Sequence, residues 1–157
     1  MASVGRLMRE LRDARACKDT DISLSCEEDQ MYKWNARITG PPDTPFAGGV
    51  FHVVLRVASD YPLVPPTATF LTKVFHPNVK FDTGEICLDI LKSAWTPVWT
   101  LTSVCRAIHS LMAHPEASSP LNCDAGNMLR EGDELAFRSV ARYYAVSEAG
   151  APAPSYS

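Results

Sequence analysis

Two stretches of the chain alternate apolar and polar residues at a period of two, and a run of turn formers separates them. In "YKWNARIT" (32–39), Tyr32, Trp34, Ala36 and Ile38 alternate with Lys33, Asn35, Arg37 and Thr39. In "VFHVVLRV" (50–57), Phe51, Val53, Leu55 and Val57 share one side. That period places one set of side chains in a core and the other in water, as in a half-buried strand. "GPPDTPFAGG" (40–49) between them is dense in residues that reverse a chain. "YPLVPP" (61–66) is excluded from a central strand, because its three prolines remove ladder donors. "TATFL" (67–71) reads as a short fourth strand. Such short connections favour an antiparallel meander.

Helical patterns flank these strands. Over residues 3–18, Val4, Leu7, Met8, Leu11 and Ala14 fall on one face, and Arg6, Arg9 and Arg12 on the opposite one. A charged face of this kind is ordinarily a solvated surface. Leu101, Val104, Cys105, Ile108, Leu111 and Met112 make a second apolar stripe, closed by Pro115. "CDAGNMLRE" and "DELAFRSVARYYAV" predict two more helices, separated at Gly132. Lys73 to Trp99 follows no period, and so long an irregular segment in a compact domain usually has a functional reason. The fold class is α+β: an N-terminal helix, a four-stranded antiparallel meander, a long irregular segment and three further helices. With 157 residues the chain suits one domain, expected over 1–148, followed by a short disordered tail at 149–157.

Composition removes several functions. The net charge of −3 gives the whole molecule no bias toward nucleic acid or acidic membranes. The N-terminus reads as an arginine-bearing helix, so no secretory leader is expected. No apolar run approaches the ~20 residues that span a bilayer, so a soluble protein without direct membrane insertion is expected. Cys17, Cys26, Cys87, Cys105 and Cys123 are odd in number and lack paired spacing, which suits a reducing compartment. Without a CxxC pair, a cysteine-based zinc site has no support. Cys105, His109 and His114 fall at helical spacing but lack a fourth ligand.

Cys87 has two readings. A free cysteine is usually a small buried hydrophobe. Cys87, however, lies in the irregular segment "HPNVKFDTGEICLDIL" (76–91), where a scaffold tends to present function. A protease nucleophile would need a histidine base, and the nearby His76, followed by Pro77, looks like a turn residue. Ser118 and Ser119 stand in no nucleophile elbow. A thiol without a strong base suits the carriage of an activated acyl group, because thioester exchange swaps one sulfur for another. Transfer then creates an oxyanion that needs a fixed donor. Asn78 is a candidate if its loop folds back over Cys87, and otherwise a plain turn residue.

Taken in order, these motifs resemble the ubiquitin-conjugating enzyme family over nearly the whole chain, from residue 3 to about 146. They are the basic N-terminal helix, "GPPDTPFAGGVF", "DYPLVPP", "HPN", "GEICLDIL" and "WTPVWTL" with the long helix after it. The resemblance implies the ubiquitin-conjugating (UBC) fold and a thioester between Cys87 and the C-terminus of ubiquitin. It implies that Asn78 stabilises the oxyanion or shapes the loop, that His76 and Pro77 build the turn, and that Asp89 lines the site. Arg6, Arg9 and Arg12 match the helix face that meets the ATP-consuming ubiquitin-activating enzyme. Leu63, Pro97 and Val98 match the loops that dock RING-type ubiquitin ligases, with leucine where the family often has phenylalanine. No cofactor or metal is implied.

Two departures mark the chain within the family. Eight residues, Val79 to Ile86, separate Asn78 from Cys87, where many members have seven. Ser119 stands where lysine-directed members often carry an acidic residue that helps deprotonate an incoming ammonium. Both departures look most like the peroxisomal members of the family. That implies a cytoplasmic protein recruited to the cytosolic face of the peroxisomal membrane by a membrane-anchored peroxin. It also implies the peroxisomal import receptor as substrate, on a lysine or a cysteine. The terminal "SYS" lacks the basic middle residue of a peroxisomal address and carries no weight. Two other functions stay open: a carrier for another ubiquitin-like modifier, and a non-catalytic binding module on the same fold. The pairing of Cys87 with Asn78 counts against the second.

Overall fold

The computed structural model describes residues 4–154, so Ser3 and the terminal 155–157 lie outside the described residues. Helix α1 spans Val4–Ala16. Its buried side is rotated from the expected stripe. Leu7, Glu10 and Leu11 are buried, whereas Val4 and Met8 are exposed. A carboxylate takes the place expected for methionine because three donors satisfy it, as detailed below, and a buried charge is tolerated only in that way.

The sheet contains β1 (Ile22–Ser25), β2 (Lys33–Thr39), β3 (Val50–Arg56) and β4 (Thr67–Phe70), paired antiparallel in that order. The register matches the two alternating stretches: Trp34 faces Leu55, Ala36 faces Val53 and Ile38 faces Phe51. All six are essentially buried. Tyr32 lies outside β2 and is exposed, as is Leu71 beyond β4. No alternation located β1, because four residues are too few to show a period.

Helix α2 (Leu101–Ala113) packs across β1 and β2. Thr100 caps its start reciprocally with Ser103, and the expected stripe is buried except for the half-buried Leu111. Helices α3 (Cys123–Arg130) and α4 (Glu134–Ala149) are separated at Gly132, whose φ is 77°. Helix α4 outruns its pattern and stops at Gly150, at φ 71°. Within the expected tail, residues 149–152 pack against the domain. Ala149 and Ala151 are buried, and Arg142 donates to the Pro152 carbonyl at 2.7 Å. Among the described residues no helix is long and apolar enough to cross a membrane.

The irregular segment before α2 contains one 3-10 turn, Asp89–Leu91, and is nonetheless rigidly placed. Val79 bridges Ile86, and Thr69 bridges Glu85, so the segment leans on β4 as a small hairpin. Gly84 closes it at φ 80°, with its backbone so near β4 that a Cβ would lie 2.0 Å from the Phe70 carbonyl. No other residue fits there without moving a strand. On the opposite side His76 is fully buried. Its Nε2 donates to the Leu111 carbonyl at 2.8 Å, while its Nδ1 accepts from the Asn78 N–H at 3.0 Å. This pairing defines one neutral tautomer.

Burial lowers the His76 pKa to about 4. The unfolded chain, with histidine near ~6.5, therefore takes the proton first. The stability contribution is complete above pH ~6.5 and is lost as pH falls toward the folded value. Between pH 7 and 4.5, urea denaturation is expected to show wild type losing about 2 kcal/mol more than His76→Gln. Equal pH slopes would place the acid sensitivity elsewhere.

Candidate active site

Cys87 lies between two buried anchors, Ile86 and Ile90, and is itself half-buried. Its N–H donates to the Asn78 carbonyl at 2.8 Å, which fixes the thiol against the turn made by His76 and Pro77. His76 cannot act as its base, because both ring nitrogens are engaged and burial keeps the ring neutral. Asp89, two residues on, is exposed at the start of the 3-10 turn. An open depression is lined by Leu88 and Asp89, which follow Cys87 in the chain, and by Trp99, Leu111 and His114, among others.

Asn78 is buried, and its side-chain amide pairs with one backbone unit. Nδ2 donates to the Glu116 carbonyl at 2.7 Å, and Oδ1 accepts the Glu116 N–H at 2.8 Å. The Pro77 carbonyl accepts from the N–H groups of Leu121 and Asn122, at 2.8 and 3.1 Å. The His-Pro-Asn turn thus holds the 114–122 loop at both ends. Of the two roles implied for Asn78, this geometry favours shaping the loop. Ser119 is exposed on that loop. Glu116 is a second acid that sequence reasoning missed. Bonds from Ser118 hold its carboxyl below the usual range.

The remaining expected residues form a second region. Leu63 is 77% exposed and Val98 88%, extreme values for apolar side chains, and Pro97 is exposed next to Val98. Arg9 and Arg12 are exposed on α1. Arg6 departs from the solvated-face expectation. It donates to the carbonyls of Pro97 at 3.0 Å and Trp99 at 2.7 Å, and pairs with Glu10 at 2.9 Å. Glu10 also accepts from the Tyr61 hydroxyl at 2.5 Å and the Leu101 N–H at 2.7 Å. Burial and this carboxylate push the Tyr61 phenol well above its ordinary pKa. The signal for the cluster was present in the sequence as Arg6 and Glu10 at i,i+4.

Among the other thiols, Cys105 is buried in the α2 stripe and Cys26 in the core, Cys17 is half-buried and Cys123 is exposed. His114 is exposed, with its Nδ1 bonded to the Ser110 carbonyl rather than turned toward Cys105.

The sequence model of the family described as "Ubiquitin-conjugating enzyme" matches residues 6–145. The chain is 57% identical over 145 residues to Protein PEROXIN-4 of Arabidopsis thaliana, covering 91% of this chain and 92% of the relative. It is 51% identical over 140 residues to ubiquitin-conjugating enzyme E2 pex4 of Dictyostelium discoideum, covering 88% and 94%. Among solved structures it resembles H. polymorpha Pex4p, determined in complex with the soluble domain of Pex22p. That likeness has a TM-score of 0.89 at 34% identity, over 94% of this chain and 98% of the other. The order of elements, the pinned Cys87 and these likenesses agree: the chain belongs to the ubiquitin-conjugating enzyme family and most resembles its peroxin-4 type.

Proposed function

We propose that Cys87 carries ubiquitin as a thioester. The Cys87 thiolate attacks the thioester that links ubiquitin to the activating enzyme, a new sulfur–carbon bond forms, and the activating enzyme's thiolate leaves. An acceptor lysine or cysteine then attacks the same carbonyl, and Cys87 leaves as the thiolate. The observation that carries this reading is the half-exposed thiol, held by Asn78, with the nearby His76 ring neutral and engaged elsewhere. Such a thiol suits exchange between sulfurs, which needs positioning more than proton transfer. The depression lined by Leu88 and Asp89 is the path assigned to the ubiquitin tail. Arg9 and Arg12 would meet the activating enzyme, and Leu63, Pro97 and Val98 RING-type ligases.

The peroxin-4 likenesses, and the neighbour solved with the soluble domain of Pex22p, support a peroxisomal role. In this reading a membrane-anchored peroxin recruits the protein from the cytosol to the peroxisomal surface, where it modifies the import receptor.

Incubation with activating enzyme, ATP and ubiquitin is expected to give a reductant-sensitive adduct. Cys87→Ala abolishes it, and Cys87→Ser converts it to a slower, reductant-resistant ester. An adduct that survived intact in Cys87→Ala would place the chemistry elsewhere, and other modifiers in the same assay identify the true cargo.

Asn78→Ala is expected to charge normally and discharge up to about 10²-fold more slowly, because the loop beside the site is misplaced. It loses about 1–3 kcal/mol of stability, because the Glu116 backbone pair is left unmet. Amide exchange at Glu116 should rise with it. Faster exchange at Glu116 with unchanged discharge would separate the loop from the reaction.

Ser119 leaves that position of the loop without a carboxylate. Single-turnover discharge should therefore be ready to free cysteine and sluggish to free lysine, and Ser119→Asp should raise only the lysine rate. Rapid lysine discharge by wild type, unaltered by the mutation, would show that Asp89 or Glu116 already supplies the charge.

A further inference from the structure

We infer that Glu10 is the positioning residue of the ligase-docking surface: one buried carboxylate joins the two loops that present Leu63 and Val98. This rests on the reading of those two side chains as ligase contacts.

Leu63 and Val98 lie on separate segments, one before β4 and one after the active-site hairpin. Neither segment has regular structure of its own to fix its height, yet both carry a nearly fully exposed apolar knob. Beneath them, Glu10 is 4% exposed. Its Oε2 takes the hydroxyl of Tyr61, two residues before Leu63, at 2.5 Å, and the Arg6 Nε at 2.9 Å. Its Oε1 takes the Leu101 N–H at 2.7 Å, three residues after Val98. The Arg6 fork then holds the carbonyls that flank Val98, those of Pro97 and Trp99. Arg6 also lies over the Tyr61 ring, 5.7 Å from its centroid. A direct strut runs beside this cluster, where the Trp95 Nε1 donates to the Pro62 carbonyl at 2.9 Å.

The carboxylate is therefore a node with three donors, one each on α1, the 61–63 turn and the start of α2, and Arg6 extends it to the 97–99 segment. Charge-assisted bonds of this kind are short and directional. Removing one donor leaves a buried charge short of a partner, so the cluster relaxes as a unit. Relaxation changes the separation of Leu63 from Val98, while Cys87 stays held by its own bonds to the His-Pro-Asn turn. Glu10 touches neither ubiquitin nor acceptor in the proposed reaction and acts only through the loops.

The test uses the full chain charged with ubiquitin. A panel of RING-type ligase domains is screened for stimulated discharge, and the strongest is titrated against wild type, Tyr61→Phe, Glu10→Gln and Leu63→Ala. Tyr61→Phe removes a single hydroxyl and keeps the ring. Tyr61→Phe and Glu10→Gln are expected to raise the apparent KM for the RING domain about tenfold. The discharge rate at saturating RING domain and the rate without it should stay within twofold of wild type. A general loss of folding would instead lower charging and both rates together. Unchanged KM in both variants, with KM raised in Leu63→Ala, overturns the inference and leaves the docking surface standing. Unchanged KM in Leu63→Ala, or no stimulation by any RING domain, overturns the docking reading and the inference with it.

Discussion

Asn78 pairs both ends of its side-chain amide with the backbone of Glu116, and its own carbonyl receives the Cys87 N–H. One residue therefore holds two strips of backbone, the one that carries Cys87 and the 114–122 loop. Asn78 is buried, so its amide left without the Glu116 backbone would carry a cost of desolvation. The surrounding bonds follow from that constraint. His76 must stay neutral to accept the Asn78 N–H; burial keeps it so, and the α2 carbonyl it donates to fixes the tautomer. Pro77 has no N–H to offer, and its carbonyl takes two donors from the far end of the same loop. Gly84 must be glycine for the hairpin to close against β4 and present Cys87.

The other end of the molecule is organised by a charge instead of an amide. Burying Glu10 is tolerable because it has three donors, one of them cationic. An apolar residue there would pack but could not join loops of different direction, since dispersion has no preferred geometry. The two polar centres, Asn78 and Glu10, lie at opposite ends of the segment between β4 and α2.

Much of the fold was legible because periodicity reports burial directly. Trp34, Ala36, Ile38, Phe51, Val53 and Leu55 are all core residues, on the side of each strand that the alternation marks as apolar. The failures have physical causes. β1 has too few residues to show a period, and α4 continues past its apolar pattern to a glycine cap. On α1 a satisfied carboxylate displaced methionine from the buried face, which no hydropathy pattern can anticipate. At the site, Cys87 and Asn78 were visible as residues in a motif. The partner of Asn78 was not, because Glu116 contributes its backbone, and a backbone group has no signature in a sequence. Arg6 misled for a related reason: its partners at Pro97 and Trp99 are carbonyls far along the chain.

In the proposed reaction the absence of a base at Cys87 fits the thiol to receive as well as give. A strong base would activate the thiol but would also serve water, and a waiting thioester would then hydrolyse before its acceptor arrived. His76, neutral and buried, is not placed to take the proton of water beside the thioester. Rate then depends on bringing an acceptor to the carbonyl in the right geometry, which is worth several kcal/mol when both reactants are held. The acids in reach differ in how they are held. Asp89 is exposed on the thiol strip, and Glu116 is restrained by Ser118 on the opposite loop. Both surfaces that frame the thioester thus carry a carboxylate while Ser119 leaves its own position uncharged. Choice of acceptor follows from which of these a nucleophile meets as it enters, and a thiol needs neither.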